Sequence, residues 1–210
     1  MGSALLVNEN RRIEISGGIA SGKTTLAQLL GRVGVPSILE NFQANPFWEA
    51  FYADPVGAAF ETEISFLLQH YHDIKTSIKQ ENAFSCDFSL LLDFAYAQVT
   101  LDNRKRAAFT AVFREILSEL SAPGLVIHLI CDPQVELDRI RQRGREVEQS
   151  IGVDYLDAVN QALDRVLLEE GTAWNILTID SAALDFANDE ADQNSVLEAV
   201  RFRLGQIANR

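Results

Sequence analysis

Residues 17–24 read Gly-Gly-Ile-Ala-Ser-Gly-Lys-Thr, a G-x-x-x-x-G-K-[ST] pattern that follows an apolar run and leads into the amphipathic stretch Thr25-Leu26-Ala27-Gln28-Leu29-Leu30. Those residue types in that order suit phosphate. The glycines let backbone N–H groups turn inward around phosphate oxygens, and a helix that begins there adds its positive dipole end. Gly17, Gly18, Ala20, Ser21, Gly22, Lys23, Thr24 and Thr25 are therefore read as nucleotide-binding, with Lys23 reaching the outer phosphates and the Thr24 hydroxyl able to ligate Mg²⁺. A glycine-rich turn that merely links strand to helix is the competing reading, and motif, position and flanks together count against it. The loop is silent on the acceptor, because the same cradle serves kinases, ATPases and GTPases.

A second cluster lies far along the chain, where Arg139, Arg141, Arg143 and Arg145 fall within seven residues. Arg139 and Arg143 are four apart and share a helix face, while Arg145 follows Gly144, which can turn the chain over a ligand. Alone, the run reads as a solvated basic face paired with Glu136, Asp138 and Glu146. Beside a phosphate loop it reads as a lid over a triphosphate. Glu40 ends a short apolar segment, where an α/β sheet presents its ligand edge, and could accept a proton there. An ordinary loop carboxylate is the alternative. Over Val56 to Lys79, a stripe of Phe60, Glu63, Leu67, His70, Ile74 and Ile78 recurs at spacings of three and four, so Glu63 and His70 point the same way from an apolar face. They are either a base-binding pair or a core histidine satisfied by a carboxylate.

The elements that must position these groups alternate. Ile13 to Ser16, Ser37 to Leu39, Ala83 to Cys86, Leu125 to Ile130 and Asn175 to Ile179 are candidate strands, and the stretches between them are long enough to cross over as helices. The expectation is an α/β chain with about five parallel strands covered on both faces, the architecture of P-loop NTPases. It forms one domain over residues 1–210, with the lid at about 139–152. The acidic stretch Asp185 to Asn194 is expected as a surface loop, and a last helix is expected from Ser195 to Ile207.

The chain carries 18 Lys+Arg against 30 Asp+Glu, a formal charge of −12, which repels nucleic acid and anionic membrane surfaces except where positive charge is concentrated. Lys23 and the four arginines are that concentration. The longest apolar run, Leu125 to Cys131, is too short to span a bilayer and is interrupted by His128. The first twelve residues turn polar too quickly for a signal peptide. Cys86 and Cys131, each in or ending an apolar run, read as buried thiols of a reducing, cytoplasmic compartment.

No N-K-x-D guanine signature occurs, and the size suits a small-molecule kinase. Three stretches together resemble the deoxynucleoside kinase family. The phosphate loop is the first. The second is Leu39-Glu40 with Asn45-Pro46-Phe47 and Phe51-Tyr52-Ala53-Asp54-Pro55. The third runs from Arg139 to Ile151 and continues as Asp154-Tyr155-Leu156, close to the lid pattern R-x-x-x-R-G-R-x-E-E-Q-x-I…Y-L. The resemblance implies an ATP-dependent transfer, with Mg²⁺, to the 5′-hydroxyl of a deoxynucleoside or nucleoside-like small molecule. It implies Glu40 as general base, with Lys23, Arg139, Arg143 and Arg145 stabilising the phosphoryl group and Asp87 beside Thr24 at the metal. Tyr52 and Glu148 would hold the sugar 3′-hydroxyl, Glu63, His70 and Asp93 would meet the base, and two chains would form a homodimer.

Three positions depart from the family, one of them His70, where several members carry arginine. The family's D/E-R-S triplet is here Asp87-Phe88-Ser89, so a bidentate guanidinium is replaced by a ring without a donor. Arg104, Lys105 or Arg106 could substitute for it, or the lid arginines could suffice. Glu63 stands where the family has glutamine; ionised, it would only accept hydrogen bonds, so the ligand would have to present donors unless a protonated His70 neutralises it. The competing functions are a kinase of another metabolite or of a nucleoside monophosphate, and a nucleotide-binding protein with weak or no catalysis.

Overall fold

The computed structural model describes residues 12–79 and 82–208, so the reading of the N-terminal leader lies outside the described residues. Five strands form one parallel sheet in the order β2-β3-β1-β4-β5: β1 Arg12–Gly17, β2 Ser37–Ile38, β3 Phe84–Cys86, β4 Leu125–Ile130 and β5 Ile176–Asp180. This is the expected α/β architecture. Every residue of β1 is buried, as a central strand covered on both faces requires. Its side chains divide by face. Ile13 and Ile15 join Leu125, Ile127 and Leu129 under helices α1 (Lys23–Arg32) and α8 (Glu190–Ala208). On the other side, Val126 packs with the larger cluster from α3 (Pro55–Ile78), α4 (Leu90–Thr100), α5 (Asn103–Glu119) and α7 (Val153–Glu169).

Local chemistry fixes where the helices begin. Gly22, left-handed at φ 101°, opens α1. α2 (Trp48–Ala53) ends at Asp54, whose carboxylate accepts from Gly57 N at 3.0 Å while Pro55 occupies the first position of α3. Ser89 caps α4 by accepting from Leu92 N at 3.1 Å. α6 (Pro133–Arg143) starts on Asp132, with Pro133 next, and ends at Gly144 at φ 68°, so Arg145 leaves the helix axis.

Three expectations need correction. The last helix begins at Glu190, five residues before Ser195, because Asp189 Oδ1 accepts from Asp192 N at 2.9 Å and caps it. The acidic run is thus partly the first turn of a helix, where Glu190 and Asp192 meet the positive dipole end. On α3 the stripe holds for Glu63, Leu67, His70 and Ile74, but Phe60 is only half-buried and Ile78 is exposed, since this helix outruns the core it covers. Cys86 is buried, but Cys131, one residue beyond β4, is half-buried.

Candidate active site

The phosphate loop leaves the C-terminal end of β1, which lies between β3 and β4. In a sheet wound outward in both directions this is where crevices open. A Cβ at Gly18 would stand 2.2 Å from Glu136 Oε1, so α6 packs directly on the loop and only glycine fits there. Lys23 folds back over the loop, donating to the carbonyls of Gly17 at 2.9 Å and Gly18 at 2.8 Å. Burial lowers its pKa, against the pull of Glu40, Asp87 and Glu136.

Facing the loop, Thr24 Oγ1 donates to Asp87 Oδ2 at 2.7 Å, and Glu40 N donates to Asp87 Oδ1 at 2.6 Å. Asp87 therefore ties the end of β3 to the phosphate loop and to the residue after β2. This hydroxyl and carboxylate are hard oxygen donors of the kind Mg²⁺ takes while keeping several waters. Among the described residues no cluster of three His, Cys, Asp or Glu could cage a metal, so phosphates and water would have to complete the shell.

These groups open onto one cavity of about 440 Å³, large enough for a nucleoside-sized ligand. Its walls include Lys23, Thr24, Thr25, Glu40, Tyr52, Glu63, Asp87 and Asp93, together with Arg139, Arg143, Arg145 and Glu148. Ala20 and Gly22 also line it, whereas Gly17, Gly18 and Ser21 do not. Arg139 Nη2 donates to Ser181 O at 2.7 Å. Arg143 and Arg145 close on buried Glu148, at 2.6 and 3.1 Å, and the Arg145 guanidinium lies 4.3 Å from the centre of the Phe42 ring. Tyr52 is raised in pKa by burial and by Glu148.

The matching sequence model, described as Deoxynucleoside kinase, covers residues 13–204. The chain belongs to the deoxynucleoside kinase family. It is 30% identical to a deoxyadenosine kinase of Dictyostelium discoideum over 165 residues, covering 76% of this chain and 67% of that protein. It is 26% identical over 197 residues to a deoxyguanosine kinase of Bacillus subtilis strain 168, covering 90% and 95%. The fold is similar to that of a solved deoxyadenosine kinase from M. mycoides, with a TM-score of 0.79 at 22% identity, over 90% of this chain and 98% of that one. Its activity is that of the family: phosphoryl transfer from a nucleotide donor to an alcohol group of a deoxynucleoside.

The kinase differs from the sequence expectation at several site positions. His70 does not line the cavity. It is 1% exposed, with Nδ1 3.0 and 2.9 Å from the two oxygens of Asp93 and Nε2 3.2 Å from Glu40 Oε1. Its ring lies flat on Phe88, centroids 3.9 Å apart and planes at 6°. Burial would lower its pKa, but Asp93 and Glu40 outweigh that and push it up to about 10. Burial raises Asp93 as well, yet both carboxylate oxygens within 3.0 Å of one ring nitrogen put the proton on the ring. Burial would also raise Glu40, but His70 and Lys23 bring it below the ordinary carboxylate range.

Glu63 is not the ionised acceptor expected of it. Burial, with Asp93 and Glu40 nearby, raises it to about 8 against a contact from Thr100. Thr100 Oγ1 lies 3.1 Å from Glu63 Oε1 and 2.9 Å from Tyr96 O. The one Thr100 hydroxyl hydrogen is shared between Glu63 Oε1 and the Tyr96 carbonyl, so it offsets the burial of Glu63 only in part. Arg141 leaves the lid cluster: it points to solvent beside Asp138, 3.9 Å away. Arg104, Lys105 and Arg106 do not line the cavity, so none of them replaces the missing guanidinium.

Sequence reasoning missed the aromatic wall of Phe42, Trp48, Phe66, Tyr96 and Tyr155. Trp48 and Tyr52, one turn apart on α2 and edge-on at 5.7 Å, gave a usable signal. Tyr96 gave none, because α4 reads as apolar all round.

Proposed function

We propose that the kinase transfers the γ-phosphoryl group of ATP, with Mg²⁺, to the 5′-hydroxyl of a deoxynucleoside, and that Glu40 is its general base. The observation that carries this reading is one cavity lined at once by Glu40, Lys23 and the lid arginines Arg139, Arg143 and Arg145. Proton acceptor and phosphate-binding cations thus face a single space.

The chemistry is positioning plus electrostatics. The 5′-hydroxyl oxygen attacks the γ-phosphorus, its proton passes to Glu40, and ADP leaves. A carboxylate held below its ordinary pKa stays ionised and ready at neutral pH. Lys23, Arg139, Arg143 and Arg145 spread the negative charge of the three equatorial oxygens. Mg²⁺, when bound, neutralises charge on the outer phosphates, with Thr24 and Asp87 as its holders. Tyr52 and Glu148 take the 3′-hydroxyl, and Glu148 also orders Arg143 and Arg145, so an occupied sugar site and a closed lid share one carboxylate. Glu63 and Asp93 face the base. Glu63, kept neutral by burial, offers the base edge both a donor and an acceptor.

A homodimer in a reducing cytoplasm completes the reading; the likeness to the family supports the pairing, and the unpaired Cys86 and Cys131 fit the compartment. ADP release measured with each of the four deoxynucleosides, with and without Mg²⁺, tests the reaction. Stimulation by at least one, lost on chelation, is expected. Stimulation by none would sink it.

A further inference from the structure

Phe88 removes a cation from the neighbourhood of Glu40, and the same neighbourhood holds a buried cation that belongs to no ligand contact. The His70 ring sits between two carboxylates, Asp93 on Nδ1 and Glu40 on Nε2. It is clamped between aromatic planes, with Phe88 flat against one face and Phe66 5.9 Å away at 30°. Nothing about that setting suits a group that must reach out to a base: the ring is 1% exposed and does not line the cavity.

We propose that His70 is a positioning residue for the transfer, an imidazolium anchored on Asp93 that fixes the Glu40 carboxylate toward the attacking hydroxyl, with Phe88 as the flat support that sets the ring plane. The proposal rests on Glu40 being the general base.

Three features argue for positioning rather than packing. First, Asp93 takes Nδ1–H with both oxygens, which fixes the ring and aims Nε2 at Glu40. Second, Nε2 stands at ion-pair distance, 3.2 Å, from one oxygen of Glu40. It holds the carboxylate by charge and leaves its lone pairs for the substrate proton. Third, the Phe88 ring lies flat against the His70 ring at 3.9 Å and sets its plane. The charged groups facing His70 are Asp93 from α4, Glu40 after β2 and, further off, Glu14 from β1.

His70→Gln keeps a side chain that can bond Asp93 but carries no charge. The expected result is a fall in kcat of about 10–100-fold with KM for the deoxynucleoside changed less than about threefold, as loss of a properly held general base predicts. A KM effect with kcat intact, or kcat and KM falling together only as far as folded protein is lost, would overturn the proposal; a merely structural histidine gives the second result. If His70→Gln does not fold, ¹⁵N-histidine NMR of the intact protein decides, with His72→Gln and His128→Gln assigning the remaining resonance. An imidazolium persisting at pH 8.5, with a pKa lowered by Glu40→Gln, is expected. A ring already neutral at pH 8.5, or indifferent to Glu40→Gln, would overturn it. Failure of the wild type to turn over any deoxynucleoside would count against the reaction itself, whereas the NMR result reports on His70 and Glu40 whatever the substrate.

Discussion

Replacing Glu63 by glutamine tests whether this carboxyl is neutral in the folded protein. Glu63 is 5% exposed and its pKa is raised from 4.5 to about 8. Between those values the native state holds a proton that the unfolded chain has released. The sign follows: the stability contributed by this group is fully present below pH 4.5 and is lost as pH rises through 8. The slope is about −1.4 kcal/mol per pH unit in that window, so raising the pH from 5.5 to 7.5 should cost the wild type roughly 2.7 kcal/mol through Glu63 alone. The amide side chain introduced by Glu63→Gln has the same shape, donates its N–H to Thr100 and does not titrate. Urea melts of both proteins at half-unit intervals from pH 5.5 to 8.5 would separate this contribution from Glu136, Asp93 and the other buried carboxyls, which both proteins share. The difference in unfolding free energy, variant minus wild type, should climb steadily with pH. Parallel curves would show that Glu63 is ionised in the fold.

Other substitutions read different parts of the site. Glu40→Gln should lower kcat by about 10²–10⁴-fold while ATP binding, measured by titration calorimetry, stays intact. Arg143→Ala frees buried Glu148 of its closer partner and should cost more than about tenfold in kcat/KM, whereas Arg141→Ala, on the outer face of the same helix, should leave it within about twofold. Gly18→Ala drives a methyl to 2.2 Å from Glu136 and 2.4 Å from Asn160 Oδ1; the expected loss is about 1–3 kcal/mol of stability in thermal melts, with a raised KM for ATP.

Much of this was legible before any coordinates. The phosphate loop and the lid are local: their glycines, lysine and arginines act within a few residues of one another, so spacing alone carries the meaning. β1 and β4 were equally plain, because strands covered on both faces read as apolar runs. What the sequence concealed was contact between distant segments. That His70 looks away from the ligand depends on Asp93 and Glu40 reaching it from two other elements. That the Glu63 pKa rises depends on burial and on Asp93 and Glu40, which come from other elements. Acidic residues 189–192 looked like a loop because charge density was weighed and capping was not. Arg141 shares the lid's composition but not its helix face, a distinction that periodicity at residues 139, 141 and 143 already contained.

The most direct test of the reaction follows the phosphorus atom. The protein, ATP and Mg²⁺ are incubated with whichever deoxynucleoside stimulates ADP release, and the product is read by ³¹P NMR with proton coupling, alongside Lys23→Ala. A monophosphate resonance split by the two 5′-methylene protons, absent with Lys23→Ala, is the predicted result. Splitting by a single 3′-methine proton, inorganic phosphate in its place, or undiminished product from Lys23→Ala would contradict it.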